Sequence, residues 1–189
     1  NHRNENGAAA AEIFFQSDRA VFSIRGANML DIKECTFEPF AVIGLVGDSD
    51  EGPGYVDALW QRMNKYGKSI MHLAKKDDDG EIMGAWGLMN DESLSFLPPD
   101  ERKSKKVVYL AGIETAVDAK PPKGYTKWVV PAFDYVYAPV IGQKTAVIQE
   151  VMAYLDAHDL TFAACPFDFM PPGGGNMYLF FPVKADPDK

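Results

Sequence analysis

FAACPFDFMPPGGGNMYLFFPV, residues 162–183, decides how the rest of the chain is read. It divides into two apolar runs, 162–170 and 176–183, joined by a Pro-Pro-Gly-Gly-Gly loop. Both runs are rich in the aromatic residues that favour strands. One acid, Asp168, stands in the first run among Phe167, Phe169 and Met170. A carboxylate in that company either faces water at a strand end or is a charge held in an apolar cavity.

The same order occurs twice along the chain. Before the closing pair, 125–130 and 133–140 read as two strands turned at Pro131, and 145–158 as a helix with Val147, Val151, Tyr154 and Leu155 on one face. Upstream, 32–40 and 41–47 are two extended pieces turned at Pro39, followed by a turn-rich loop at 48–54. Residues 55–66 then place Val56, Leu59, Trp60 and Met63 at i, i+3, i+4 and i+7, one apolar helical face. Trp60 is expected to pack in the core there, and Gly67 to stop the helix, with a further short turn at 70–74. The strand at 82–89, IMGAWGLM, carries two glycines beside Trp86, the mark of a bulge or of a place where something approaches the backbone closely. Residues 107–114 form the next strand, and 117–124 a linker. VVYLAGIE at 107–114 lies over NMYLFFPV at 176–183, which puts Tyr109 over Tyr178 and sets Trp86 and Asp168 in equivalent strands. The expected fold is α+β: duplicated strand–strand–helix–strand–strand modules, about 29–117 and 118–185, with antiparallel sheets and two main helices around a central cleft. Residues 1–28 read as a leader or added segment outside that domain.

Bulk properties narrow the function classes. The chain has 189 residues, 47% of them hydrophobic and 12% aromatic, and a net charge of −8. That charge repels phosphate backbones and anionic lipid, so neither DNA nor membrane is an expected partner. No apolar run reaches the ~18 residues of a membrane span. Cys35 and Cys165 lack CxxC spacing and suit a reduced, cytoplasmic protein. His2, His72 and His158 do not cluster, so no metal site is expected. The 75–80 run KKDDDG lacks the spaced oxygens and closing Glu of a calcium loop and reads as solvated. The basic run Arg102, Lys103, Lys105 and Lys106 reads as part of an exposed loop over 90–106. Gly173–Gly175 precede a strand, not a helix, which removes a phosphate cradle; no cofactor is expected.

The wording of PPKGYTKWVVPAFDYVYAPVIG at 121–142 and PFDFMPPGGGNMYLFFPV at 166–183, with AVIGLVG, GAWGLMND and YLAGIE in the first half, resembles the GyrI-like small-molecule-binding family. The resemblance covers about residues 29–185. The same domain is the effector-binding part of many AraC-type and MerR-type multidrug regulators, and this chain is similar to the stand-alone form. The resemblance implies an aromatic-lined cavity holding a glutamate on the strand before the last. That position falls on Asp168, one methylene shorter and therefore different in reach.

An inward Asp168 would be desolvated, and a flat or apolar cation would relieve the cost through ion pairing and contacts with aromatic faces. The expected ligand-binding residues are Asp168, Trp86, Tyr109, Tyr137, Glu114, Phe180 and Tyr178. The expected activity is stoichiometric binding of amphipathic, cationic or aromatic small molecules. One alternative is a hydrolase similar to the cyclopropanoid hydrolases that share the fold, with Asp168 or Glu114 as acid–base and a tyrosine assisting. Another is an acidic, DNA-mimicking inhibitor of a protein partner, as the family's gyrase-inhibitor name suggests; a haem-binding role is a fourth. Turnover, salt-sensitive capture of a basic protein and a Soret shift respectively separate them.

Overall fold

Two proline-containing links govern the architecture. β1 (Lys33–Phe37) and β2 (Phe40–Asp48) follow one another across Glu38-Pro39, and β5 (Thr126–Val130) and β6 (Phe133–Pro139) across Pro131-Ala132. A two-residue hairpin needs positive φ at its central residues, which Gly or Asn supplies and proline forbids. Consecutive strands therefore do not pair here. β1 crosses to β6, with Cys35 opposite Tyr135, and β5 crosses to β2, with Trp128 opposite Val42.

The computed structural model describes residues 30–188, so the 1–28 segment lies outside the described residues. The other elements are α1 (Tyr55–Tyr66), β3 (Ala85–Asp91), β4 (Val107–Thr115), α2 (Lys144–Ala157), β7 (Leu160–Phe162), β8 (Phe167–Met170) and β9 (Tyr178–Ala185). The protein is α+β: the described residues form nine strands in one antiparallel sheet, ordered β1-β6-β9-β8-β3-β4-β2-β5, with β7 on β9. That order reads the same from both edges when β1 is matched with β5, β2 with β6, β3 with β8 and β4 with β9.

Strand alternation gives the sheet two different faces. On one, α1 covers Ile43, Tyr109, Ala111 and Ile113, and α2 covers Val136, Ala138, Leu179 and Phe181. The other carries no helix among the described residues. Its side chains, Val42, Trp86, Leu110, Tyr135, Phe167 and Phe180 among them, pack on one another. Phe37 of an edge strand lies 6.1 Å from Trp86 of a central one, ring centre to ring centre. The sheet is thus bent over, and its helix-free face closes on itself as a core shared by both halves.

Several expectations change in detail. The 82–89 strand begins at Ala85, because Gly84 turns away at φ 126°, leaving space that the Phe169 ring fills to within 2.6 Å of where a Cβ would stand. The 162–170 strand splits into β7 and β8 around Ala163–Pro166, where proline cannot donate to the ladder. α1 does end at Tyr66 with Gly67 as its C-cap; the cap is right-handed, φ −60°, and leads directly into a 3-10 segment at Gly67–Leu73. The basic loop is tied down: Phe96 is buried against Trp128 and Phe167, and Lys106 pairs with Asp48, Asp50 and Glu92.

Candidate functional site

Asp168 sits on β8 between Phe167 and Phe169, both of which face the shared core. Alternation therefore aims Asp168 at the opposite, helix-bearing face. Its neighbours across the ladders are Gly87 on β3 and Leu179 on β9. Gly87 matters because a Cβ there would lie 1.7 Å from the Tyr109 hydroxyl oxygen and 3.1 Å from Asp168 Cβ. Into the space it leaves, Tyr109 of β4 brings its hydroxyl, which donates to Asp168 Oδ2 at 2.6 Å and accepts from Trp60 Nε1 of α1 at 3.1 Å. Lys144, the first residue of α2, places its ammonium on Asp168 Oδ1. Asp168 is 8% exposed, whereas the Lys144 side chain is 44% exposed. Burial, reinforced by the Asp168 charge, pushes the Tyr109 phenol well above its ordinary range, so it stays a proton donor. Both helices thus converge on one buried carboxylate, satisfied by one phenol and one half-exposed lysine.

A second acid lies on the other face. Glu114, near the end of β4, accepts from Trp86 Nε1 at 3.0 Å and from Lys75 Nζ at 3.0 Å. It borders a cavity of about 130 Å³ walled by Phe37, Phe40, Trp86 and Phe169. Phe180 meets Trp86 at 5.1 Å, and Tyr137 stacks on Phe180 at 4.8 Å with planes 4° apart. Tyr178 lies 6.3 Å from Tyr137. Burial pushes the Tyr137 phenol up to about 12.

The residues expected to form one site therefore divide between two faces. Asp168 and Tyr109 come together under the helices, while Trp86, Glu114, Tyr137, Phe180 and Tyr178 gather on the helix-free side. The expected equivalence of Tyr109 and Tyr178 is corrected: Tyr178 shares its face with Leu110, and Tyr109 points the other way. A one-residue shift in register exchanges the faces of a strand, so the shared Tyr-Leu wording aligned the sequences but not the side chains.

Three participants went unrecognised in the sequence. Trp60, expected in the core, donates its indole N–H into the Asp168 cluster. Lys75 was read as part of a solvated run. Lys144 did carry a signal: a cation in a helix's first turn opposes the macrodipole, so another partner must hold it there. In the 75–80 run, Asp77 Oδ1 accepts from the backbone N–H of Asp79 and Glu81 and closes its own turn.

No protein-family model and no curated protein matches the sequence. Solved structures do match. One is a protein from Staphylococcus aureus MU50 assigned to bacterial transcription regulation, 16% identical over 83% of this chain and 100% of that one, TM-score 0.56. Another is SAV2435 bound to tetraphenylphosphonium, 16% identical over 82% of this chain and 94% of that one, TM-score 0.59. The EcmrR C-terminal domain is 12% identical over 84% of this chain and 99% of that one, TM-score 0.54. At these identities the likeness is one of fold, and the fold is GyrI-like.

Proposed function

We propose that this chain, carrying the GyrI-like fold, is a ligand-binding module that captures amphipathic cationic or aromatic molecules between α1 and α2, with Asp168 as the charge partner. We read the palindromic strand order as a duplication, about 29–117 and 118–185, with the binding position where the repeats meet. One observation carries the proposal: a buried carboxylate beside a tyrosine and a tryptophan whose ammonium partner, Lys144, is nearly half exposed. Burying a carboxylate without a cation is costly, so a resident lysine holds the place until a ligand cation of better fit displaces it. Trp60, which is only partly buried, then offers aromatic surface to that cation. The tetraphenylphosphonium bound by SAV2435 is a lipophilic cation of this kind, which supports the reading.

Thermal shift with tetraphenylphosphonium, and with triphenylphosphine oxide as a neutral counterpart, tests it on wild type, Asp168→Asn and Lys144→Met. Ligand at a hundred times Kd stabilises by about 2.7 kcal/mol, a rise of roughly 5–10 °C for a chain this long. The expected result is a rise for the cation in wild type, a larger one in Lys144→Met, and loss of the cation preference in Asp168→Asn. Equal responses in wild type and Asp168→Asn would sink the assignment.

A further inference from the structure

The two buried acids share a plan: each is held by one aromatic donor and one lysine that is close to half exposed. At Asp168 these are Tyr109 and Lys144; at Glu114 they are Trp86 and Lys75. Only the Glu114 pair, among the described residues, borders the aromatic-walled cavity on the helix-free face. We propose that this cavity is a second binding site, independent of the Asp168 reading, for a small methylated ammonium group that takes the place of the Lys75 head.

Size sets the first limit. About 130 Å³ is close to the roughly 150 Å³ of an apolar cavity that holds benzene. It admits a trimethylammonium head and excludes a bulky lipophilic cation. The walls set the second. Phe40 and Phe169 stand 5.0 and 4.6 Å from Trp86, ring centre to ring centre, and Phe37 stands 6.1 Å from it. A ring whose face borders such a space attracts a cation. A quaternary ammonium has no N–H to satisfy, so ring faces and one carboxylate suffice for it. A lysine head is strongly hydrated and gains less from such a place.

Charge and hinge complete the argument. Glu114 and Glu38 both border the cavity against the single ammonium of Lys75, so its lining is net negative. The Lys75 backbone is fixed: its N–H donates to the Glu114 carbonyl at 2.8 Å, and its own carbonyl accepts from Met83 N–H at 3.0 Å. Its side chain is 49% exposed while that of Glu114 is 8% exposed. Rotation of the lysine stem alone therefore withdraws the ammonium into water and leaves Glu114 ready for another cation, with Trp86 still holding Oε2.

Choline and its neutral isostere 3,3-dimethyl-1-butanol are titrated into the full chain, followed by the Trp86 indole N–H resonance and by calorimetry. We expect one-site binding of choline and none of the isostere. Glu114→Gln should weaken choline binding about tenfold or more, and Lys75→Met should tighten it by about tenfold. Asp168→Asn should leave it unchanged, which separates this site from the one between the helices. If Glu114→Gln does not fold, the Lys75→Met gain decides. The proposal is overturned if Lys75→Met protein shows no saturable choline binding, if the isostere binds equally well, or if binding falls in Asp168→Asn and not in Glu114→Gln.

Discussion

Asp168 has its particular environment because of a residue with no side chain. Gly87 lies directly across the ladder from it, and the missing Cβ is what lets the Tyr109 hydroxyl reach the carboxylate. The clash an alanine would make is with the hydroxyl and the ring carbon that bears it, in a side chain 1% exposed and held by Trp60. Gly87→Ala is therefore expected to lower stability in urea denaturation by about 1–3 kcal/mol, and to upfield- or downfield-shift the Trp60 indole N–H as its acceptor moves. An alanine variant as stable as wild type would show that Tyr109 is not packed there. The sequence did mark this position: a glycine in a strand next to Trp86 signalled a bulge or a close approach. It did not say that the approaching group is the phenol of a residue on the neighbouring strand, since that depends on register.

At the scale of elements, the loop between β3 and β4 owes its order to Asp91. Its carboxylate accepts from the Ser93 hydroxyl and from the backbone N–H of Ser93 and Lys103, at 2.8 and 2.9 Å, with Ser104 N–H at 3.4 Å. These bonds, the Ser93 hydroxyl first, outweigh burial and hold the Asp91 carboxyl below its usual range. A folded-state pKa below the unfolded one means that the carboxylate's contribution is complete above about pH 4 and is lost as pH falls below that. Asp91→Ala is expected to cost about 1–3 kcal/mol at neutral pH and to speed tryptic cleavage within residues 92–106. As pH falls below about 4 the gap between wild type and variant should narrow; a gap that stays constant down to about pH 2 would contradict the ionised clamp. The polarity of this loop was legible in the sequence, but its attachment was not. Asp91 holds Lys103 through the lysine's backbone N–H, which residue type does not reveal, and a basic run looks the same whether it is solvated or tied.

At the scale of the whole molecule, each half lends its first strand to the other. β1 completes the β6–β9–β8 side and β5 completes the β3–β4–β2 side. The helix-free core is also built from both halves, with Phe37, Trp86, Tyr135 and Phe180 in mutual contact. A half on its own would expose an unpaired strand edge and one face of an apolar core. Fragments 30–117 and 118–188 are therefore expected to show no cooperative unfolding separately and to regain it when mixed. Cooperative melting of either fragment alone would mean that the exchanged strands are dispensable.

By itself the sequence determined what is local in physical origin. Helical periodicity located α1 and α2, alternating and aromatic runs located the strands, and repeated order along the chain pointed to a duplicated α+β fold; the GyrI-like reading came from the resemblance carried by 121–142 and 166–183. An acid set in an aromatic run drew the reading to Asp168, and strand position brought in Glu114, Tyr109 and Trp86 as expected ligand-binding residues. Tertiary structure alone decided which of them meet. A strand's side chains change face with every residue, so their partners follow from register and from the bend of the sheet, neither of which a single strand encodes. Those two features sent Asp168 to the helices and Glu114 to the aromatic core, and brought Lys144 and Lys75, distant in sequence or hidden in a polar run, to the acids they hold.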